Sequence, residues 1–219
     1  MGSRFERIPS QEMDSADCDQ LTTLSAAQAA FLEVRDIPFA AQYQLFYSDE
    51  RLRTKNGQGC TQKAYHLQRL FTSLDLPTEL CRVRFRWSAV LERLPGVPDQ
   101  LLMAAAAIEP RWHVFLSVRF SSGAITVDPT WDAGLRHMGF SVNARLEPPN
   151  DMTLAVPPED FYVDNPAGCL PATGPPLPME SPQATHSSFV RHKHYYVFVL
   201  RFNRWLEEGR MSAATGLSR

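Results

Sequence analysis

Two β-rich runs separated by only two residues most restrict the folds open to this chain. The runs are RWHVFLSVRF (Arg111–Phe120) and GAITVDPTWD (Gly123–Asp132), joined by Ser121-Ser122. A connection this short favours a hairpin, because parallel strands need a crossover of about a dozen residues or more. The sequence therefore predicts an antiparallel sheet, and together with the helical patterns elsewhere it predicts an α+β class.

The register of this hairpin decides whether two potentially reactive side chains, those of His113 and Asp128, can contact each other. A two-residue loop pairs Phe120 with Gly123, and His113 and Asp128 then lie on one sheet face as diagonal neighbours. A bulge at Gly123 would shift the register by one residue and place the two side chains on opposite faces. The sequence is compatible with both registers, and a hydrogen bond between the carboxylate and the imidazole requires the first, or a four-residue loop.

A cysteine, Cys60, begins the helical pattern CTQKAYHLQRLFTSL, which Pro77 follows. The helix start favours thiolate over thiol, because its unpaired N–H groups carry partial positive charge. The alternative is a small buried residue that begins a core helix. Cys60 lies on the same face as the apolar residues that recur at spacings of three and four, namely Ala64, Leu67, Phe71 and Leu74.

Taken together, the runs GQGCTQKAYHLQRLFTSLDLP, HVFLSVRF and ITVDPTWD resemble the transglutaminase-like superfamily of papain-fold cysteine enzymes. The resemblance covers residues 56–132. It implies a papain-like fold in which a Cys-bearing helix packs on an antiparallel β-sheet. It also implies Cys60 as nucleophile, His113 as base and Asp128 as the residue that orients the imidazole.

The resemblance implies acyl transfer through a Cys60 acyl-thioester, which forms or exchanges an amide bond. The partners would be an amide, ester or thioester as acyl donor, an amine as acceptor, and a carrier protein or peptide that presents either one. Gln58 is a candidate second donor to the oxyanion, and a plain turn residue is the alternative. Two other functions stay open: a cysteine peptidase or amidase, and a catalytically silent binding module of the same fold.

Composition and charge restrict the partners further. The net charge of −2 and the pI of about 6.3 give no electrostatic basis for binding nucleic acid. The apolar runs are too short to cross a membrane. The four cysteines lack CxxC spacing, and His192 and His194 do not share a helix face, so we predict no metal site and no cofactor. A cytoplasmic protein with reduced thiols is the expectation.

Local composition divides the chain into four parts. Residues 1–20 are polar and are predicted to be flexible, and residues 21–140 are predicted to form the catalytic core. Of the 17 prolines, 10 lie within residues 141–188, so this part is predicted to be irregular and to cover the core. Residues 189–209 are predicted to be a C-terminal helix of the same domain, with Gly209 as its stop.

Overall fold

An antiparallel sheet and five α-helices make up the part of the chain that the computed structural model describes, which comprises residues 15–42, 57–159, 169–170 and 185–215. The mixed α and β class predicted from the sequence is confirmed. In chain order the elements are α1 (Ser15–Asp36), α2 (Cys60–Ser73), β1 (Thr78–Phe85), α3 (Trp87–Leu91), α4 (Asp99–Ala106), β2 (Arg111–Phe120), β3 (Gly123–Val127), a 3₁₀ helix (Ala133–Met138), β4 (Cys169–Leu170) and α5 (Thr185–Thr215).

The sheet has the strand order β3-β2-β1-β4, and all neighbouring strands are antiparallel. In the hairpin Phe120 pairs with Gly123 and Leu116 pairs with Val127, which is the register of a two-residue loop. Gly123 has a φ of 127°, a value that glycine adopts readily, so the tight turn needs no inserted residue. The unbulged register is therefore confirmed.

Each face of the sheet has its own hydrophobic core, because successive side chains of a strand point in opposite directions. On one face, Val114, Leu116 and Val118 of β2 pack with α1 and α2. Their partners on the helices include Phe31, Val34, Ala64, Leu67 and Phe71. On the other face, Val83 and Phe85 of β1 contact an aromatic cluster formed by Trp87, Trp131, Phe140, Phe198, Phe202 and Trp205.

Helix α5 is longer than predicted at both ends. It runs from Thr185 to Thr215 and passes through Gly209, where the sequence predicted a stop. A Cβ on Gly209 would lie 2.1 Å from the sulfur of Met138, so the glycine lets the 3₁₀ helix pack closely against α5. The missing side chain of Gly209 therefore allows close packing. Helix α5 continues through this position, where it packs against Met138.

The other predicted boundaries differ in detail. Residues 15–20, which the sequence assigned to the polar N-terminal part, belong to α1. Residues 141–159 are irregular, as predicted, and their backbone lies beside β3, where Met152 N donates to Thr126 O at 3.0 Å. Residues 160–168 and 171–184 of the proline-rich part lie outside the described residues.

A helix that spans a membrane needs about 20 consecutive, mostly apolar residues, and this requirement bears on the described helices. None of them combines the necessary length with sufficient apolar character to cross a bilayer.

Candidate active site

Cys60 is the first residue of α2 and is partly exposed. Gly59 precedes it with extended backbone angles, and its carbonyl accepts the first helical hydrogen bond from Lys63 N at 3.0 Å. The side chain of Gln62 accepts a hydrogen bond from Gly59 N at 3.0 Å. The helix therefore begins at the cysteine, because Lys63 N and the Gln62 side chain form hydrogen bonds with the backbone of Gly59 at the helix start.

The turn before the cysteine is held against the chain that follows α1. Gln58 N donates to Pro38 O at 2.9 Å, and Ala40 N donates to Gln58 O at 3.2 Å. Gly57 has a φ of 104°, and a Cβ there would lie 2.1 Å from Pro38 O. Only glycine fits at this position, so the GQG run of the sequence has a steric reason.

His113 and Asp128 form the hydrogen bond that the register allows. Nε2 of His113 lies 2.7 Å from Oδ2 of Asp128, and the two residues are 1% and 2% exposed. The imidazole packs with the rings of Phe85 and Phe115, each with its centroid 6.2 Å away. Packing and the hydrogen bond together fix the orientation of the imidazole.

Asp128 is also held by two backbone groups. Thr130 N donates to Oδ1 at 3.1 Å, and Ala155 N donates to Oδ2 at 2.8 Å. Burial raises the pKa of Asp128, but the charge of His113 and these hydrogen bonds outweigh burial and lower the pKa below its usual value. The carboxylate therefore stays ionised beside the imidazole.

The imidazole of His113 joins Asp128 to Cys60. Burial opposes ionisation of the Cys60 thiol, yet a hydrogen bond from His113, its positive charge and the backbone of Val114 lower the pKa below its ordinary value. Burial likewise opposes the charge on His113, but Asp128 and Cys60 raise its pKa to about 10. Because Nε2 is bonded to Asp128, Nδ1 is the ring nitrogen left to interact with the sulfur. The favoured state is a thiolate beside an imidazolium.

The side chain of Gln58, the candidate oxyanion donor, makes no hydrogen bond in the described part of the chain. Its backbone is fixed by Pro38 and Ala40, and its Oε1 is buried without a hydrogen-bond partner among the described residues. A donor role would use the other end of the amide, Nε2. That role stays a prediction, for which the fixed backbone two residues before Cys60 is the support.

Lys63, which no sequence motif marks as a site residue, is completely buried. Its Nζ donates to Arg35 O at 2.8 Å, Pro129 O at 3.3 Å and Thr130 O at 3.0 Å. Burial lowers its pKa to about 7, with Arg210 adding to this effect and the carboxylates of Asp132, Asp128 and Asp36 opposing it. Its position, three residues after Cys60 and four before Leu67, was the signal that it lies on the buried face.

Cys81 is buried within β1, and the side chains of Cys18, Cys169 and His192 lie outside the described ones. Among the described residues, no group of three or more His, Cys, Asp or Glu side chains is arranged to hold a metal ion.

The structure thus brings Cys60, His113 and Asp128 together in one chain of contacts. Such an arrangement can generate a thiolate nucleophile and return a proton to a leaving group. No family model, no curated protein and no solved structure matches this sequence or fold.

Proposed function

We propose that this protein is a papain-like, transglutaminase-like cysteine enzyme that transfers an acyl group through a Cys60 acyl-thioester to an amine. One observation carries the proposal: a buried Asp128–His113 hydrogen bond of 2.7 Å whose imidazole also contacts a cysteine at a helix start. The packing of α2 against β2 of an antiparallel sheet supports the same assignment. The three residues also follow the order Cys, His, Asp along the chain.

The first half-reaction forms the thioester. The Cys60 thiolate attacks the carbonyl carbon of an amide, ester or thioester, and the carbonyl oxygen becomes an oxyanion. When the tetrahedral intermediate collapses, the bond to the leaving group breaks and the proton on Nδ1 of His113 passes to that group. Asp128 stabilises the imidazolium before this transfer and holds the ring in place.

The second half-reaction releases the acyl group. Neutral His113 accepts a proton from the incoming amine as the amine attacks the thioester carbonyl. The products are an amide, the Cys60 thiolate and the imidazolium, so the starting state is restored. Water in place of the amine would give a free acid, which is the reaction of a cysteine peptidase or amidase.

Two donors are proposed to stabilise the oxyanion. The backbone N–H of Cys60 has no partner within the helix, because it belongs to the first turn. The amide of Gln58 is the proposed second donor. A reduced thiol is required throughout, so we propose a reducing compartment such as the cytoplasm, with a carrier protein or peptide presenting the donor or the amine.

Mass spectrometry of intact protein tests the proposal. Wild-type protein and the variants Cys60→Ala and Cys81→Ala are incubated with three acetyl donors, namely a peptide amide, a p-nitrophenyl ester and a thioester. We expect an acetyl adduct on wild type and on Cys81→Ala and none on Cys60→Ala. No adduct with any donor would favour a silent binding module.

A chase with methylamine then separates transfer from hydrolysis. Faster decay of the adduct with formation of N-methylacetamide is the expected result. Decay at an unchanged rate, with acetate as the only product, would assign the protein to the hydrolases.

A further inference from the structure

Lys63 is a buried amine to which the proposed reaction assigns no step. It is completely buried one turn after Cys60, so its amine is not accessible as a nucleophile or as an acyl acceptor. A buried ammonium costs free energy unless each of its N–H groups finds an acceptor. Here three backbone carbonyls accept from it, so its three donors are satisfied.

These carbonyls come from two separate parts of the chain. Arg35 O belongs to the last turn of α1, whose carbonyls lack helical partners and carry partial negative charge. Pro129 O and Thr130 O belong to the loop that follows β3 and that begins with Asp128. One side chain of the cysteine-bearing helix therefore ties down both α1 and the loop of the catalytic carboxylate.

Thr130 links Lys63 directly to the residue that holds the imidazole. Its carbonyl accepts from Lys63 at 3.0 Å, while its N–H donates to Oδ1 of Asp128 at 3.1 Å. Asp128 is in turn bonded to His113, which contacts Cys60. The contacts therefore form a closed ring. Cys60 contacts His113, which is bonded to Asp128, and Thr130 is bonded both to Asp128 and to Lys63 on the helix of Cys60.

We propose that Lys63 is a positioning residue, which sets the placement of Asp128 and His113 relative to Cys60. The inference rests on the proposed function, and it adds to the site a residue that acts only through hydrogen bonds to backbone carbonyls. Without the ammonium, the carbonyls of Pro129 and Thr130 lose their partner, so the peptide that orients Oδ1 can rotate. The imidazole then moves with the carboxylate, and the thiolate loses part of its stabilisation.

The loop has other supports, so the fold should survive this change. Arg210 is bonded to Asp132 at 2.6 Å, and Asn143 Nδ2 donates to Asp128 O at 3.0 Å. Neither of these contacts reaches Thr130 or α2. Removing Lys63 should therefore disturb the site more than the fold.

The test compares Lys63→Met with Gln68→Met. Methionine has similar length but no donor, and Gln68 is another buried polar residue of α2, bonded to Thr78 O at 3.5 Å and not to the site. The alkylation rate of Cys60 by iodoacetamide is measured against pH, with peptide mapping, and near-UV circular dichroism reports folding.

We expect both variants to melt earlier than wild type, and only Lys63→Met to alter Cys60. Its alkylation midpoint should move to higher pH, and its rate at pH 6 should fall by about tenfold or more, because small misplacements of catalytic groups have large effects on rate. The Gln68→Met profile should match that of wild type.

Each other outcome has a separate meaning. Wild-type Cys60 that reacts no faster than Cys81 at pH 6 would refute the proposed function itself. Reactive wild-type Cys60 with an unchanged Lys63→Met profile would refute the positioning role alone. If Lys63→Met does not fold, Lys63→Gln is measured instead. An unfolded Lys63→Gln, or one with the wild-type profile, would also overturn the inference.

Discussion

Cys60 and His113 carry opposite charges that stabilise each other while burial opposes both. The pKa of the thiol lies below its ordinary value of 9.0, and that of the imidazole lies near 10. The ion pair is therefore the main species between these two pKa values. Over this range the thiolate is available as a nucleophile, and the imidazolium can act as an acid.

The first prediction concerns the relative reactivity of the cysteines. At pH 6 iodoacetamide should modify Cys60 before Cys81, whose side chain is buried in β1, and before Cys18 and Cys169, because His113 and the helix start favour the thiolate of Cys60. Peptide mapping of protein quenched at short times measures the order. Earlier modification of any other cysteine would contradict a thiolate at Cys60.

The second prediction concerns Asp128→Asn. The amide removes the negative charge that raises the pKa of His113, so the alkaline limit of turnover should move from about pH 10 towards 6.5. Turnover itself should fall by about 100-fold or more, because the imidazole loses its orientation. The matched control is Asp151→Asn, an exposed carboxylate that accepts a hydrogen bond from Thr126 N. Equal pH–rate profiles for the two variants would contradict the role of Asp128.

At the scale of elements, the start of α2 depends on how closely the turn before it approaches the segment after α1. Gly57 and Gly96 both have positive φ values, 104° and 67°. A Cβ on Gly57 would meet Pro38 O at 2.1 Å, whereas a Cβ on Gly96 would meet nothing within 4 Å. Alanine at Gly96 would therefore introduce only backbone strain, whereas alanine at Gly57 would introduce a steric clash as well.

The third prediction follows from this difference. Gly96→Ala should lower the free energy of unfolding by about 1 kcal/mol, the usual cost of left-handed backbone with a side chain. Gly57→Ala should cost more and should also slow alkylation of Cys60, because Pro38 and the turn must move apart. Urea unfolding and alkylation rates measure the two effects. Equal losses of stability with unchanged Cys60 reactivity would show that the close approach is unimportant.

At the scale of the whole molecule, α5 holds together segments that are distant in sequence. Asn203 exchanges two hydrogen bonds with the backbone of Ala41, at 2.8 Å and 2.9 Å. Arg210 donates to Asp132 Oδ2 at 2.6 Å and to Phe39 O at 2.9 Å, while Phe39 N donates to the same carboxylate at 2.7 Å. This helix thereby fixes the segment against which the Cys60 turn rests.

The fourth prediction concerns Arg210→Gln. It leaves the carboxylate of Asp132, which is 5% exposed, without its ion-pair partner, so we expect a loss of about 3 kcal/mol in the free energy of unfolding. The control is Arg204→Gln, which breaks an exposed pair with Glu208 and should cost about 0.5 kcal/mol or less. Urea unfolding measures both variants, and similar losses would show that the Asp132 pair contributes little.

The fifth prediction concerns the pH dependence of stability. Lys63 has a pKa of about 7 in the folded protein and an ordinary value of 10.5, so between these values the unfolded chain binds more protons and stability rises with pH. Above both the lowered pKa of Cys60 and the ordinary histidine value of 6.5, and up to about pH 9.0, the Cys60–His113 pair holds one proton in either state and adds no slope. The melting temperature of wild type should therefore rise from pH 7 to 9, and that of Lys63→Met should not. A flat wild-type profile would mean that Lys63 keeps its proton.

The sequence by itself determined the features that depend on near neighbours. The two-residue connection predicted the hairpin but left its register open. The unbulged register, which the structure has, places His113 and Asp128 on one face, because strand side chains alternate with a period of two. The spacing of apolar residues and the glycines before Cys60 set the start of α2. These patterns are readable because the interacting residues are adjacent in sequence or one strand apart.

Only the tertiary structure decided which distant groups complete the site. The bonds from Lys63 to Pro129 and Thr130, the bond from Ala155 to Asp128, and the pairing of Arg210 with Asp132 join residues 27 to 78 positions apart. Periodicity predicts that a side chain faces inward, but it does not predict which backbone carbonyl accepts a hydrogen bond from it. Gly209 shows the same limit, because the close approach of Met138 determines its role in α5. The physical reason is that such partners depend on how whole elements pack, and packing is decided jointly by both faces of the sheet.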